Sequence, residues 1–122
     1  MAEAGAIGAL LEEVRSDLDR VRPQDLEREW EAGTLLVDIR PERNRLHEGR
    51  LPTAVVIERI HLEWRLDPTS GHAIPEAEPG RRVVLVCNEG YASSLAAATL
   101  RQLGVDATDV AGGYRAWRAS RP

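Results

Sequence analysis

The sequence predicts an α/β fold around a mostly parallel sheet. Three observations carry the prediction. Continuous apolar runs at 34–39 (TLLVDI), 54–58 (AVVIE) and 83–87 (VVLVC) have the length and composition of buried parallel strands. Segments with helical spacing or helix-boundary residues lie between them. The strongest run, VVLVC, leads through a five-residue loop into a helical pattern, SSLAAATLRQL. Strands that alternate with helices pair in parallel, because a parallel connection needs a crossover long enough to hold a helix.

Along residues 6–21, Ile7, Leu10, Leu11, Val14, Leu18 and Val21 recur at helical spacing and predict an amphipathic helix packed on the domain. A dimer contact through that helix is the alternative. Pro23 opens a second helix, with Asp25 and Glu27 in its first turn, Leu26 and Trp30 on one face and Gly33 at its end. The first strand follows over 34–39. Residues 40–50 are polar with room for one helical turn, 54–58 form the second strand, and 60–66 hold one or two helical turns. A loop rich in Pro and Gly covers 67–80. The strand over 83–87 is central, and the helix over 93–103 is capped by Ser93 or Ser94 and ended by Gly104. A fourth strand lies within 105–110, Gly112 and Gly113 turn the chain, and 114–119 form a last helix. The organisation is an N-terminal helix over 1–21 on one domain over 22–122.

Composition narrows the functional classes. The chain has 122 residues, 43% apolar and 30% charged, as expected of one globular domain. No apolar run approaches the roughly 18 residues of a membrane span. The N-terminus lacks the basic start of a secretory signal, so a cytoplasmic location is expected. The net charge is -4 with no basic stripe, which argues against nucleic acid as a partner. All 16 basic residues are Arg, so lysine Schiff-base chemistry and a P-loop lysine are excluded. One Cys and three His at scattered positions (His47, His61, His72) offer neither an intrachain disulfide nor a structural zinc site.

The chemistry therefore concentrates on Cys87. It ends a buried strand, and Asn88, Glu89, Gly90, Tyr91 and Ala92 connect it to the helix that starts near Ser93. Sites in parallel α/β sheets lie beyond the carboxyl ends of the strands. A tight loop before a helix gathers backbone N–H groups into an anion nest, and the helix start adds its own free N–H groups. Such positions lower a cysteine's pKa from about 8.5 to roughly 3.5–7.5, and the same nest suits the terminal sulfur of a persulfide. Gly90 allows a positive φ or a close approach. The alternative is a Cys that merely completes the core.

Four stretches together resemble the rhodanese family of sulfurtransferases, single-domain type, over about residues 22–118. LLVDIR (35–40) is similar to the family's Asp-x-Arg strand, and GRLPTAVVI (49–57) to its Gly-His-Ile-Pro-Gly-Ala segment. CNEGYASS (87–94) is similar to the Cys-x-x-Gly-x-Arg-Ser catalytic loop, and GGYRAW (112–117) to the closing Gly-Gly-x-x-x-Trp signature. The resemblance implies a central, mostly parallel sheet of four or five strands with helices on both faces. It implies a ping-pong sulfur transfer through a Cys87 persulfide, without metal or organic cofactor.

This loop departs from the family where a cation often stands, at Ala92, and it carries a negative charge at Glu89. Repulsion across a low-dielectric mouth costs about 1 kcal/mol or more. The expected donor is therefore a persulfide in preference to thiosulfate, with a thiol as acceptor. Phosphatase relatives need Arg at the place of Ser93, and without it a phosphoryl group loses its bidentate clamp. Asp38 and Arg40 end the neighbouring strand and are expected either to fix the loop by hydrogen bonds or only to hold the fold. Trp64 is expected to pack or to line the mouth, and Tyr91 to cover the pocket or read a partner. A non-catalytic binding module and a one-cysteine redox sensor are the competing functions.

Overall fold

The computed structural model describes residues 4–122. Four strands, β1 (Leu35–Asp38), β2 (Val55–Val56), β3 (Arg82–Val86) and β4 (Asp106–Asp109), form one sheet in the order β2-β1-β3-β4. All pairings are parallel, with Val37 opposite Leu85 and Leu85 opposite Asp109. Six helices surround it: α1 (Gly5–Arg15), α2 (Leu26–Glu31), α3 (Glu42–Glu48), α4 (Leu62–Leu66), α5 (Ala92–Gln102) and α6 (Gly113–Ser120).

The continuous apolar runs behave as strands buried on both faces because successive side chains alternate between two cores. Leu35, Val37, Val83, Leu85 and Cys87 face one layer with Leu62 and Leu66 of α4 and Ala96, Ala97 and Leu100 of α5. Leu36, Val84 and Val86 face the other with Leu26 of α2 and Tyr114 and Trp117 of α6. Helices thus cover both faces. The helix α1 packs on α5, which places it on the Cys87 side.

The predicted helix over 6–21 is half right. It stops at Arg15, and Ile7 and Leu10 are 46% and 44% exposed. Leu18 belongs to one core and Val21 to the other. The chain therefore crosses the sheet edge there, which no single helix face could do. Val21 accepts from the Ala111 N–H (2.9 Å) and donates to the Asp109 carbonyl (2.8 Å), a parallel bridge along β4. The crossing mimics helical spacing. The second predicted helix divides into a 3-10 turn (Pro23–Asp25) and α2. The strand expected over 54–58 shrinks to the edge pair Val55–Val56.

Candidate active site

Cys87 leaves the end of β3 and is 8% exposed. The loop after it owes its shape to where its carbonyls are held. The Tyr114 N–H donates to the Cys87 carbonyl (2.8 Å) and the Arg115 N–H to the Asn88 carbonyl (3.1 Å), so the first turn of α6 fastens the loop from below. The Gly90 carbonyl accepts from Arg15 Nη2 (2.6 Å) and Arg20 Nη2 (2.9 Å), with Ser94 Oγ 3.2 Å away. With the carbonyls fixed, amides turn toward the sulfur: Gly90 N–H donates to Cys87 Sγ at 3.1 Å and Ser93 N–H at 3.4 Å. The N–H groups of Asn88, Glu89 and Tyr91 meet no acceptor among the described residues. Two backbone donors, those of Gly90 and Ser93, thus converge on the sulfur.

The loop needs two glycines. Gly90 has φ 85°, and a Cβ there would lie 2.7 Å from the Gly112 amide nitrogen. Gly113 has φ 66°, and its Cβ would lie 2.5 Å from the Cys87 carbonyl oxygen. The Gly-Gly pair is therefore the seat on which the cysteine loop rests.

Ser93 and Ser94 do not cap α5, which begins at Ala92 without a side-chain cap. Both hydroxyls are buried and donate instead to Asp109 Oδ2, at 2.8 Å and 2.7 Å. Asp109 is fully buried and pairs with Arg20 through Nε (2.9 Å) and Nη2 (3.2 Å). Ser93 Oγ also lies 3.2 Å from Cys87 Sγ. With its own proton on Asp109, it is positioned to accept from the thiol.

The remaining loop residues fall as follows. Glu89 points outward, 62% exposed at its side chain, and pairs with Arg115 at 3.1 Å. Its repulsion of an anionic donor is therefore weaker than the sequence suggested, and the case against thiosulfate rests on Ala92, which is exposed at the rim. Tyr91 is 43% exposed, with the Arg15 guanidinium 5.5 Å from its ring centroid. Asn88 is half-buried, its Oδ1 enclosed without a donor.

Asp38 and Arg40 do not reach the loop by hydrogen bonds. They pair with each other (2.8 Å), and Arg40 donates to the Gly49 carbonyl and lies 3.7 Å from the centroid of the Tyr114 ring. Arg40 lies against the Tyr114 ring, whose N–H holds the Cys87 carbonyl, and Asp38 stands beside Val86 in the sheet. Trp64 is 57% exposed in α4 and lines a shallow groove with Thr99 and Leu103, away from the sulfur. Arg15, Arg20, Ser94 and Asp109 are the site residues that sequence reasoning missed. Only Ser94 had a visible signal, its place beside the loop. No group of three or more His, Cys, Asp and Glu residues among those described could hold a metal.

A parallel α/β domain that presents one cysteine in an amide-lined loop, seated on a Gly-Gly turn, is the architecture of a rhodanese. The rhodanese-like domain model matches residues 22–120, and the chain belongs to that family. A Rhodopseudomonas palustris protein of unknown function, described as a possible tyrosine phosphatase, is similar over 100% of this chain and 96% of its own (30% identity, TM-score 0.85). A human single-domain sulfurtransferase shares the fold over 84% of this chain and 97% of its own (23% identity, TM-score 0.70). The thiosulfate sulfurtransferase of Pseudomonas aeruginosa does so over 84% of this chain and 18% of its own (24% identity, TM-score 0.64). Among curated proteins none matches the sequence.

Proposed function

We propose that the protein is a sulfurtransferase that carries sulfane sulfur on Cys87 and passes it to a thiol or another nucleophile. The observation that carries this reading is the pair of amides, Gly90 and Ser93, aimed at Cys87 Sγ at 3.1 Å and 3.4 Å. Such a nest stabilises a thiolate without a metal. In the first half-reaction the Cys87 sulfur attacks the outer sulfur of the donor. An S–S bond forms to Cys87, and the donor's own S–S bond breaks and leaves as a thiolate. In the second, the acceptor attacks the outer sulfur and Cys87 departs as thiolate.

The Gly90 and Ser93 amides, which touch Cys87 Sγ, then stabilise the charge carried with the added sulfur. A persulfide is the donor that this site suits better than thiosulfate, because Ala92 offers no side-chain cation to a dianion. A cytoplasmic, reducing setting fits a lone thiol used this way.

The R. palustris relative raises a phosphatase reading. The sixth residue after Cys87 is Ser93, bound to a carboxylate, and Arg15 and Arg20 point at the outer side of Gly90. A phosphoryl group would meet no bidentate clamp. The test is a sulfur-transfer assay with a persulfide donor and thiol acceptor, run beside hydrolysis of an aryl phosphate. We expect transfer by the wild type, at least about a hundredfold loss in Cys87→Ser as for removal of a covalent nucleophile, and no phosphate release. Phosphate release that depends on Cys87, or full transfer by Cys87→Ser, would overturn the reading.

A further inference from the structure

The family match begins at residue 22, yet two of the groups that shape the cysteine loop come from before it. Arg15 closes α1 and Arg20 lies in the segment that crosses the sheet edge. Both donate to one atom, the Gly90 carbonyl oxygen, at 2.6 Å and 2.9 Å. Gly90 is thereby pinned on both sides, its N–H on Cys87 Sγ and its carbonyl on two guanidiniums. Each arginine has a second anchor. Arg15 Nε donates to Ser94 Oγ (3.0 Å), and Arg20 forks onto the buried carboxylate of Asp109. Ser94 and Asp109 in turn contact each other and Ser93, which touches the sulfur.

We infer that Arg15 and Arg20 are positioning residues of the Cys87 site, so that the segment before the family domain completes the anion nest. This rests on the reading of Cys87 as the sulfur carrier. Two physical effects follow. The clamp fixes the Gly90–Tyr91 peptide, and the Gly90 φ of 85° sets that peptide against the one whose N–H meets the sulfur. It also brings positive charge to a loop whose own cation position is Ala92 and whose charged member is Glu89. Charge near a thiolate, and donors held on it, favour the ionised sulfur.

The groups facing the sulfur define the balance. Gly90 and Ser93 amides and the Ser93 hydroxyl touch it, Asp109 stands behind Ser93, Arg20 offsets Asp109, and both arginines hold Gly90. Glu89 is turned away toward Arg115. Of the two arginines Arg15 is the cleaner probe, because Arg20→Gln would leave the buried Asp109 without its cation.

The test compares the full-length wild type with Arg15→Gln and Arg15→Lys. Thermal melting checks the fold, and the rate of Cys87 alkylation by iodoacetamide is followed from pH 5 to 10. We expect Arg15→Gln to melt cooperatively and to shift the rate of Cys87 alkylation at neutral pH downward by roughly tenfold. Arg15→Lys restores part of that shift, since it returns the charge without the fork. A folded Arg15→Gln with the wild-type profile overturns the inference, as does a Cys87 that resists alkylation in the wild type. If Arg15→Gln does not fold, Arg15→Lys decides alone: alkylation slower than in the wild type supports the forked clamp, and the wild-type profile refutes it. A wild type that takes no sulfur from any donor would sink the proposed function while leaving the alkylation comparison intact.

Discussion

Gly113 carries more of the site than its size suggests. Its φ of 66° opens α6 in a conformation that side chains rarely adopt, and a Cβ would press on the Cys87 carbonyl and on the Asn88 peptide at 2.5–2.7 Å. Neither contact can yield, because both belong to the backbone of the cysteine loop. Gly113→Ala is therefore expected to cost about 3 kcal/mol, the strain of a forbidden φ plus a backbone displacement. Chemical denaturation checks the cost, and Cys87 alkylation should change with it. A loss of only a few tenths of a kcal/mol with unchanged reactivity would show that α6 can slide without disturbing the loop. Cys87 and its loop were legible in the sequence because a strand, a short loop and a helix follow one another locally. Asp109 was not, since its 16-residue separation from Ser93 closes only when β3 and β4 pair.

At the scale of elements, α3 and α6 are tied by one carboxylate. Glu48 pairs with Arg115 at 2.9 Å and accepts from Asn44, and its carbonyl accepts from the Tyr114 hydroxyl. The Arg115 guanidinium, and then the Asn44 amide, hold the Glu48 carboxyl down at about 2, below its ordinary 4.5. A carboxyl depressed by folding stabilises the fold above its unfolded value and loses that contribution as pH falls toward its folded value. The contribution is thus complete above about pH 4.5 and fades toward pH 2. Glu48→Gln should flatten the acid limb of stability in that window, measured by urea unfolding at stepped pH, with little change in shape near neutrality. An unchanged acid limb would mean that other carboxylates govern it.

The same scale shows where the sequence misled. Strands β1 and β3 were plain from their apolar runs, and α5 from its length. The spacing of Leu18 and Val21 imitated a helix while the chain in fact passed from one core to the other. Local periodicity cannot distinguish these cases, because the pairing partner of Val21 is Val110, far along the chain. Ser93 and Ser94 read as helix caps for a related reason. Buried Asp109 offered their hydroxyls a stronger partner than the helix end did.

In the whole molecule, two cores lie on opposite faces of one parallel sheet, with Cys87 just past the end of β3. No helix among the described residues is long and apolar enough to cross a membrane. The fold fixes the loop through three separate parts of the chain: the start of α6 below Cys87 and Asn88, α1 with the crossing segment at Gly90, and β4 behind Ser93. Fold class and family were readable because four motifs stand in order along the chain. The contribution of α1 was not, because Arg15 and Arg20 lie among the 16 arginines of the chain with nothing local to single them out.

The central claim is that Cys87 holds sulfur covalently. The most direct measurement is intact-mass spectrometry after incubation with a low-molecular-weight persulfide and, in parallel, thiosulfate, followed by peptide mapping. The account predicts a gain of one sulfur, about 32 Da, on the Cys87 peptide, with more loading from the persulfide, and its disappearance when a thiol acceptor is added. No added sulfur from either donor, on a protein whose thiol also resists alkylation, would contradict it and leave a non-catalytic rhodanese-like module as the better description.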